Sequence, residues 1–213
     1  MTTLIFVRHG ESEANLSQIF AGHYDVGLTD KGHKQARLVA QYLQEKYCID
    51  KIYASDLLRT MQTAAPTADM LGLDIIRCND LREIFAGEWQ GLRYADIQST
   101  YPLEYDVWLR DIGRAMPVGG ESVKALSDRI WYAVQRIARQ SADQTAVIVT
   151  HATPIRTLIC RLTGRSIDDL KDVSWGENAA ITVVAVDQGE WKLIQTNVTE
   201  HLAGAQSAFP PNI

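Results

Sequence analysis

The hydrophobic and polar positions of the chain follow two alternating patterns, one typical of buried strands and one typical of amphipathic helices. Short, continuous apolar runs that stop at glycine or polar residues predict strands at residues 3–7, 51–55, 73–76 and 145–151. Apolar residues spaced three and four apart predict a helix after each of the first two strands and another over residues 121–139. The pattern therefore predicts strands and helices in turn along most of the chain.

Local signals add the helix starts and one turn. Thr29 and Ser55 are predicted N-caps, and Thr153 followed by Pro154 predicts the start of a helix that runs to Leu162. Pro66 is expected to kink or break the helix that follows Ser55. Two apolar segments on either side of residues 188–189 predict a β-hairpin near the C-terminus.

This order of elements predicts an α/β fold, a three-layer α/β/α sandwich with a mostly parallel central sheet. At 213 residues the chain is expected to be one domain, residues 1–213. Residues 87–120 are rich in aromatic side chains and lack a long periodic run, so we predict a small helical and loop lobe over the functional site. The tryptophans and tyrosines of this segment are expected mostly in the core, with a few at the entrance to the site.

Composition excludes several classes of protein. With a net charge of -5 the chain is not expected to bind nucleic acid or a membrane surface, and an anionic ligand would need a local cluster of cations. No apolar run is long enough to span a bilayer, and the N-terminus lacks the pattern of a signal peptide. The three cysteines are far apart, which favours reduced thiols and a cytoplasmic location.

Charged residues collect where three predicted strands end. Arg8 and His9 follow the first strand, Arg59 follows the second by one helical turn, and His151 ends the fourth. Because the carboxyl ends of parallel strands meet at one edge of a sheet, these side chains are expected to converge beside helix N-termini. Such a cluster suits a phosphate dianion. Glu83 follows the third strand and could protonate a leaving alkoxide and then accept a proton from water.

Five segments, in this order, resemble the motif series of the histidine phosphatase superfamily, in its phosphoglycerate-mutase-like branch: RHGESEAN, SDLLRTMQTA, LREIFAGEWQGL, GGES and THATPIR. The resemblance covers roughly residues 3–160. It implies that His9 is the nucleophile and becomes phosphohistidine, and that Glu83 is the proton donor and acceptor. It further implies phosphoryl contacts from Arg8, Arg59 and His151, and secondary phosphate or substrate contacts from Asn15, Ala21, Gly22 and Ala152.

Elementary chemistry agrees with these roles. Phosphoryl transfer needs in-line attack and neutralised equatorial oxygens, which two arginines supply without a metal, so we expect no metal and no other cofactor. A neutral imidazole is a competent nucleophile when a backbone acceptor fixes its tautomer. His23 and Asp25 lack a third ligand at a metal-site spacing, and residues 27–34 only approach a P-loop, with His33 at the lysine position.

The sequence thus predicts a phosphatase acting on small phosphate monoesters, with a small-molecule substrate as its partner. A phosphoglycerate-type mutase is the alternative, although residues 87–120 offer mainly Arg93, Arg110 and Arg114 for a second anionic group. A binding module without catalysis is a third interpretation. Within the proposed site, Glu88 competes with Glu83, and Glu121 and Ser122 are expected to begin a helix.

Overall fold

In the computed structural model, which describes residues 1–207, six strands form a single sheet. The strands are β1 (Thr2–Arg8), β2 (Lys51–Ala54), β3 (Ile75–Arg77), β4 (Thr145–Thr150), β5 (Ile181–Asp187) and β6 (Glu190–Val198). The α-helices are α1 (Glu13–Leu16), α2 (Asp30–Lys46), α3 (Leu58–Leu71), α4 (Tyr94–Thr100), α5 (Pro102–Arg110), α6 (Val123–Gln140) and α7 (Ala152–Leu162). Short 3-10 helices occupy Asn79–Leu81, Gly87–Trp89, Ile112–Arg114, Ile167–Asp172 and Glu200–Leu202.

The sheet is parallel through its first four strands in space. Its order is β3-β2-β4-β1-β5-β6, and β5 and β6 are antiparallel to their neighbours. In the register of the parallel part, Arg8 lies opposite Thr150 and Ala54 lies opposite Val149. The ends of β1, β2 and β4 are therefore level, which brings the residues that follow them together at one edge.

Both faces of the sheet are buried, as the continuous apolar strands predict. Leu4 and Phe6 of β1 belong to a core shared with α6 and α7, whereas Ile5 and Val7 point to a second core shared with α2 and α3. The predicted three-layer α/β/α sandwich is therefore confirmed. Within residues 87–120 the structure forms α4, α5 and two of the short 3-10 helices. The assignment of this segment as a lobe stays a prediction, and residues 208–213 of the predicted domain lie outside the described residues.

Several local predictions are confirmed. Thr29 caps α2 by accepting a hydrogen bond from the Gly32 N–H at 3.0 Å. The hairpin between β5 and β6 turns at Gln188 and Gly189, both of which have positive φ, as a two-residue turn of this kind requires. The predicted helix at 121–139 is α6, which begins after the capping side chain of Ser122, so Glu121 lies just outside it.

Other local predictions are wrong in instructive ways. Ser55 does not cap α3; the cap position is Leu57, which has no side-chain hydrogen bond. Helix α3 continues through Pro66, so the predicted break is absent, whereas the alternative of a kink stays a prediction. The third strand starts at Ile75 rather than residue 73, because Gly72 ends α3 in a left-handed conformation and the Leu73 N–H still bonds to Ala68. The cap of α7 is His151, not Thr153.

Candidate active site

One pocket at the carboxyl edge of the parallel strands contains almost every residue that the sequence predicts to form the functional site. Eight of the nine predicted site residues line it: Arg8, His9, Asn15, Ala21, Gly22, Arg59, Glu83 and Ala152. The ninth, His151, is fully buried and packs edge-on against His9 with ring centroids 5.2 Å apart. The structure thus brings together residues that are up to 144 positions apart, counted from Arg8 to Ala152.

His9 extends the last rung of β1 and has a fixed tautomer. Its backbone N–H bonds to the Thr150 carbonyl at 3.0 Å, which continues the pairing with β4. Its Nδ1 lies 2.8 Å from the Gly10 carbonyl oxygen, so Nδ1 carries the proton and donates it there. Nε2 is then the unprotonated nitrogen. Burial, and after it the charges of Arg59 and Arg8, hold the pKa of His9 well below its usual value.

His151 lies at the cap position of α7 and is held by Ser55, which the sequence predicts as a helix cap. Its Nε2 lies 2.9 Å from the hydroxyl of Ser55, at the end of β2. Burial, followed by the charge of Arg59, lowers the pKa of His151 well below its usual value. Both imidazoles are therefore neutral around pH 7. Ser55 escapes sequence reasoning because serine before a helix is an ordinary cap signal.

Arg59 occupies the first turn of α3 and is almost completely buried. Its guanidinium donates to the carbonyl oxygens of Gly22 at 2.8 Å and Tyr24 at 3.2 Å, so it also holds the loop that carries Ala21 and Gly22. Burial lowers the pKa of Arg59 to about 10, partly offset by the negative charge of Glu83. The side chain thus remains a cation at neutral pH.

Arg8 is the second buried cation of the pocket. Its guanidinium donates to the Gly176 carbonyl oxygen at 2.6 Å. Burial lowers the pKa of Arg8, and Glu83 acts in the opposite direction. Two cations and one carboxylate therefore share a small volume, which leaves a net positive site in an acidic protein.

Glu83, rather than Glu88, faces these cations. Its two carboxylate oxygens accept hydrogen bonds from the backbone N–H groups of Ile84 at 2.8 Å and Thr153 at 3.3 Å. Glu88 lies outside the pocket lining and accepts a hydrogen bond from the Tyr101 hydroxyl at 2.6 Å. Thr153, predicted as a helix cap, instead links α7 to Glu83 through its N–H.

The neighbours of Glu83 hold its backbone in place. The Glu83 carbonyl oxygen is 2.8 Å from Nε2 of His23 and 3.3 Å from a nitrogen of Arg129, which also forms an ion pair with Glu121. Arg82 pairs with Asp56 and not with Glu83. His23 is thus a structural partner of the loop, and residues 1–207 contain no group of three or more His, Cys, Asp or Glu side chains arranged to hold a metal ion.

Asn178 is the main contributor that the sequence did not reveal. This fully buried side chain donates to the His9 carbonyl oxygen at 2.9 Å and to Oδ1 of Asn15 at 3.4 Å. The next residue, Ala179, donates its N–H to the carbonyls of both Arg8 and His9. Oδ1 of Asn15 also accepts from Ser12, so its amide NH2 group is the part available to a ligand.

The arrangement can perform one kind of chemistry particularly well. An unprotonated imidazole nitrogen, two buried guanidinium groups and backbone N–H groups at the start of α7 suit a tetrahedral anion that is attacked at its centre. A carboxylate next to the cations can exchange a proton with the departing or entering oxygen. None of the helices in the described part of the chain is long and apolar enough to cross a membrane.

Comparison with known proteins agrees with this chemistry. Phosphoserine phosphatase 1 of Hydrogenobacter thermophilus is 33% identical over 203 residues, which are 95% of each chain. Phosphoglycerate mutase-like protein 4 of Arabidopsis thaliana is 35% identical over 175 residues, 80% of this chain and 76% of its own. The solved structure of Bacillus stearothermophilus YhfR superposes with a TM-score of 0.91 at 28% identity, covering 95% of this chain and 100% of that one.

A family model settles the assignment. The model of the histidine phosphatase superfamily (branch 1) matches residues 4–199, nearly the whole chain. This match and the phosphatase relatives confirm the predicted family and the predicted class of enzyme, while the mutase alternative gains no greater support. The chain belongs to the histidine phosphatase superfamily, branch 1.

Proposed function

We propose that this protein hydrolyses small phosphate monoesters through a covalent phosphohistidine on Nε2 of His9. The observation that carries the proposal is the state of this one imidazole, buried beside two cations with its Nδ1 proton donated to the Gly10 carbonyl. The lone pair of Nε2 is free for attack, and Arg8 and Arg59 neutralise the charge of the phosphoryl oxygens.

The reaction proceeds in two balanced steps. In the first, Nε2 forms a bond to phosphorus, the ester P–O bond breaks, and protonated Glu83 gives its proton to the departing alkoxide. In the second, Glu83 takes a proton from water, the oxygen attacks phosphorus, and the P–N bond breaks to release phosphate and the free imidazole. The position of Glu83, bonded to the N–H of Thr153 at the start of α7, supports both roles.

The arginines of residues 87–120 favour hydrolysis over the mutase reaction. Arg110 is an exposed side chain paired with Asp106 at 2.7 Å, and Arg114 is paired with Asp168 at 3.2 Å. Arg93 is exposed, and none of the three is among the residues that line the pocket. A mutase would need to hold a second anionic group of the retained substrate, and these side chains do not supply its partner.

Two further aspects of the proposal concern the surroundings of the enzyme. Its partner is a small phosphate ester, consistent with a pocket formed within a single chain. A cytoplasmic location is supported by the cysteines, since Cys48, Cys78 and Cys160 are all free thiols and two of them are buried.

The test is phosphate release together with trapping of the phosphorylated protein. We expect the wild-type protein to release phosphate from a simple monoester. After reaction with a monoester that carries a labelled phosphoryl group, the denatured protein should keep the label in alkali and lose it in acid, as a phosphoramidate does. His9→Ala should lose both by on the order of a thousandfold or more. His33→Ala, a half-buried histidine on α2, is the matched control and should keep both.

Three results would count against the proposal. Turnover or alkali-stable labelling of the His9→Ala variant would show that His9 is not the nucleophile. Interconversion of 2- and 3-phosphoglycerate without release of phosphate would make the mutase reaction the correct one. A large loss of activity on addition of a chelator would contradict catalysis by cationic side chains alone.

A further inference from the structure

Beyond the phosphate-binding end, the pocket is bordered by four aromatic side chains that touch one another in sequence. Phe20, Tyr94, Trp108 and Trp175, which we call the aromatic wall, all line it. The ring of Phe20 is 5.9 Å from Tyr94 and 4.9 Å from Trp108, and Trp108 is 6.1 Å from Trp175, measured between centroids. The wall therefore extends without interruption from the loop after α1 to the segment before β5.

The aromatic wall is held rigidly from behind. Trp89, which is completely buried, packs edge-on against Phe20 at 5.5 Å and Trp108 at 6.1 Å. The guanidinium of Arg156 stacks 3.9 Å above the ring of Trp175 and donates to the carbonyls of Val173 and Leu170. Since these rings are fixed before a ligand arrives, contact with them costs little conformational entropy.

The charged side chains that line the pocket all belong to the predicted phosphate site, and Arg156 lies behind Trp175, outside the lining. Among the residues that line it, the basic side chains are Arg8 and Arg59, and the acidic one is Glu83. A carboxylate on the alcohol part of a substrate would compete with phosphate for the same two arginines. An unpaired charge against the aromatic wall would also be poorly solvated.

We propose that the preferred substrates are phosphate monoesters whose alcohol part is uncharged and carries a planar, apolar group that packs on the aromatic wall. This inference rests on the proposed function for the reaction, but it concerns the group that leaves. The inference predicts that such esters are better substrates than phosphorylated amino acids and phosphoglycerates, whose carboxylates find no additional cation among the residues that line this pocket.

The first measurement compares esters of primary alcohols, so that the leaving groups are of similar basicity. We expect kcat/KM for 2-phenylethyl phosphate to exceed that for glycerol 3-phosphate, phosphoserine and 3-phosphoglycerate by about tenfold or more, as apolar contacts of this size allow. A preference for either carboxylated ester overturns the inference. A preference for phosphocholine also overturns it, because the wall would then bind a cation.

The second measurement tests the wall itself. In Trp175→Leu, the ratio of kcat/KM for 2-phenylethyl phosphate over glycerol 3-phosphate should fall roughly tenfold, with the rate for glycerol phosphate little changed. Trp175→Phe should restore most of the ratio and so guards against misfolding. Trp191→Leu is the matched control, since Trp191 is an equally half-buried tryptophan that packs on Trp131 outside the pocket. An unchanged ratio in Trp175→Leu would contradict the proposal.

Binding to His9→Ala distinguishes failure of this inference from failure of the proposed function. Calorimetry on this variant should give tighter binding of 2-phenylethyl phosphate than of phosphoserine, whether or not the wild-type protein turns either of them over. Selective binding without wild-type turnover would support the substrate class and refute the hydrolysis. Wild-type turnover, combined with equal binding of the two esters or tighter binding of phosphoserine to His9→Ala, would support the hydrolysis and refute the substrate class.

Discussion

At the scale of single residues, the contact between Asn178 and His9 predicts a positioning role that can be measured. Asn178→Ala removes the donor to the His9 carbonyl and the bond to Asn15. We expect kcat to fall by about tenfold or more with a smaller change in KM, because the nucleophile loses its orientation. The free energy of unfolding should fall by about 1–3 kcal/mol, as for the loss of a buried hydrogen-bonded group.

Asn178→Asp separates positioning from mere support of the fold. The carboxylate has nearly the same shape but favours the imidazolium form, so the pKa of His9 should rise and the acid limb of kcat/KM should move to higher pH. Gln35→Ala is the control, because Gln35 is also a fully buried amide, bonded to the Glu11 N–H at 2.7 Å. It should lose stability with no shift of the acid limb. An Asn178→Asp enzyme with the wild-type pH profile would leave Asn178 a structural role only.

The same contrast explains which site residues the sequence could predict. Arg8, His9 and His151 stand where continuous apolar runs end, so the topology of a parallel sheet is enough to bring them together. Asn178 lies 169 residues from His9 in a short polar loop, where an asparagine has many ordinary explanations. A long-range hydrogen bond from such a loop carries no local signal, and the same holds for the bond between Ser55 and His151.

At the scale of elements, the start of α2 can pack closely against the segment that follows His9 only because Gly32 and Gly10 have no side chain. A Cβ on Gly32 would lie 2.0 Å from the Glu11 carbonyl oxygen, and one on Gly10 would lie 2.7 Å from the Gly32 carbonyl oxygen. Gly32→Ala gains about 1 kcal/mol of helix propensity. The backbone clash costs more, so we expect a net loss of about 2–3 kcal/mol and reduced phosphate release.

The control for this prediction is a glycine without close neighbours. Gly164, after α7, has a φ of 69° and no atom within 4 Å of an added Cβ. Gly164→Ala should cost only about 1–2 kcal/mol for the left-handed backbone and should leave activity unchanged. Denaturant unfolding and phosphate release measure both variants. A Gly32→Ala protein more stable than wild type would show that the two segments separate without penalty.

Periodicity predicts the existence of the elements better than it predicts their ends. The apolar stripe of α6 and the apolar run of β4 are both predictable from the sequence, because burial on one or both faces dictates them. The ends depend on which partner a polar group finds in three dimensions. Thr153 bonds to Glu83 instead of capping α7, and Pro66 is accommodated inside α3. Neither outcome can be read from the neighbouring residues.

At the scale of the whole molecule, an acidic protein keeps a cationic site by burying it between chain segments that are far apart in sequence. The chain carries a net charge of -5, yet Arg8, Arg59 and two histidines meet at one sheet edge. Burial among these cations is possible because both imidazoles stay neutral, which lets them pack edge-on. The fold therefore depends on the protonation state of the site, and its stability should depend on pH.

The direction in which stability changes with pH follows from the pKa shifts of the two histidines. Burial lowers the pKa of His9 and His151 well below 6.5 in the folded protein, whereas both return to about 6.5 in the unfolded chain. Below that pH the unfolded state binds more protons, so stability is complete above about pH 6.5 and is lost on acidification. Each histidine should contribute a loss of about 1.4 kcal/mol between pH 7.5 and 5.5.

Guanidinium unfolding at the two pH values tests this prediction. His9→Gln should be less sensitive to pH than wild type by about 1.4 kcal/mol, because one of the groups that takes up a proton on unfolding is gone. Asp56→Asn is the control: Arg82 lowers the pKa of Asp56, so its contribution is lost only at more acidic pH and its removal should destabilise the protein equally at 7.5 and 5.5. If wild type and His9→Gln lost equal stability on acidification, His9 would be charged in the folded protein, and a neutral nucleophile held ready beside two arginines would no longer describe this site.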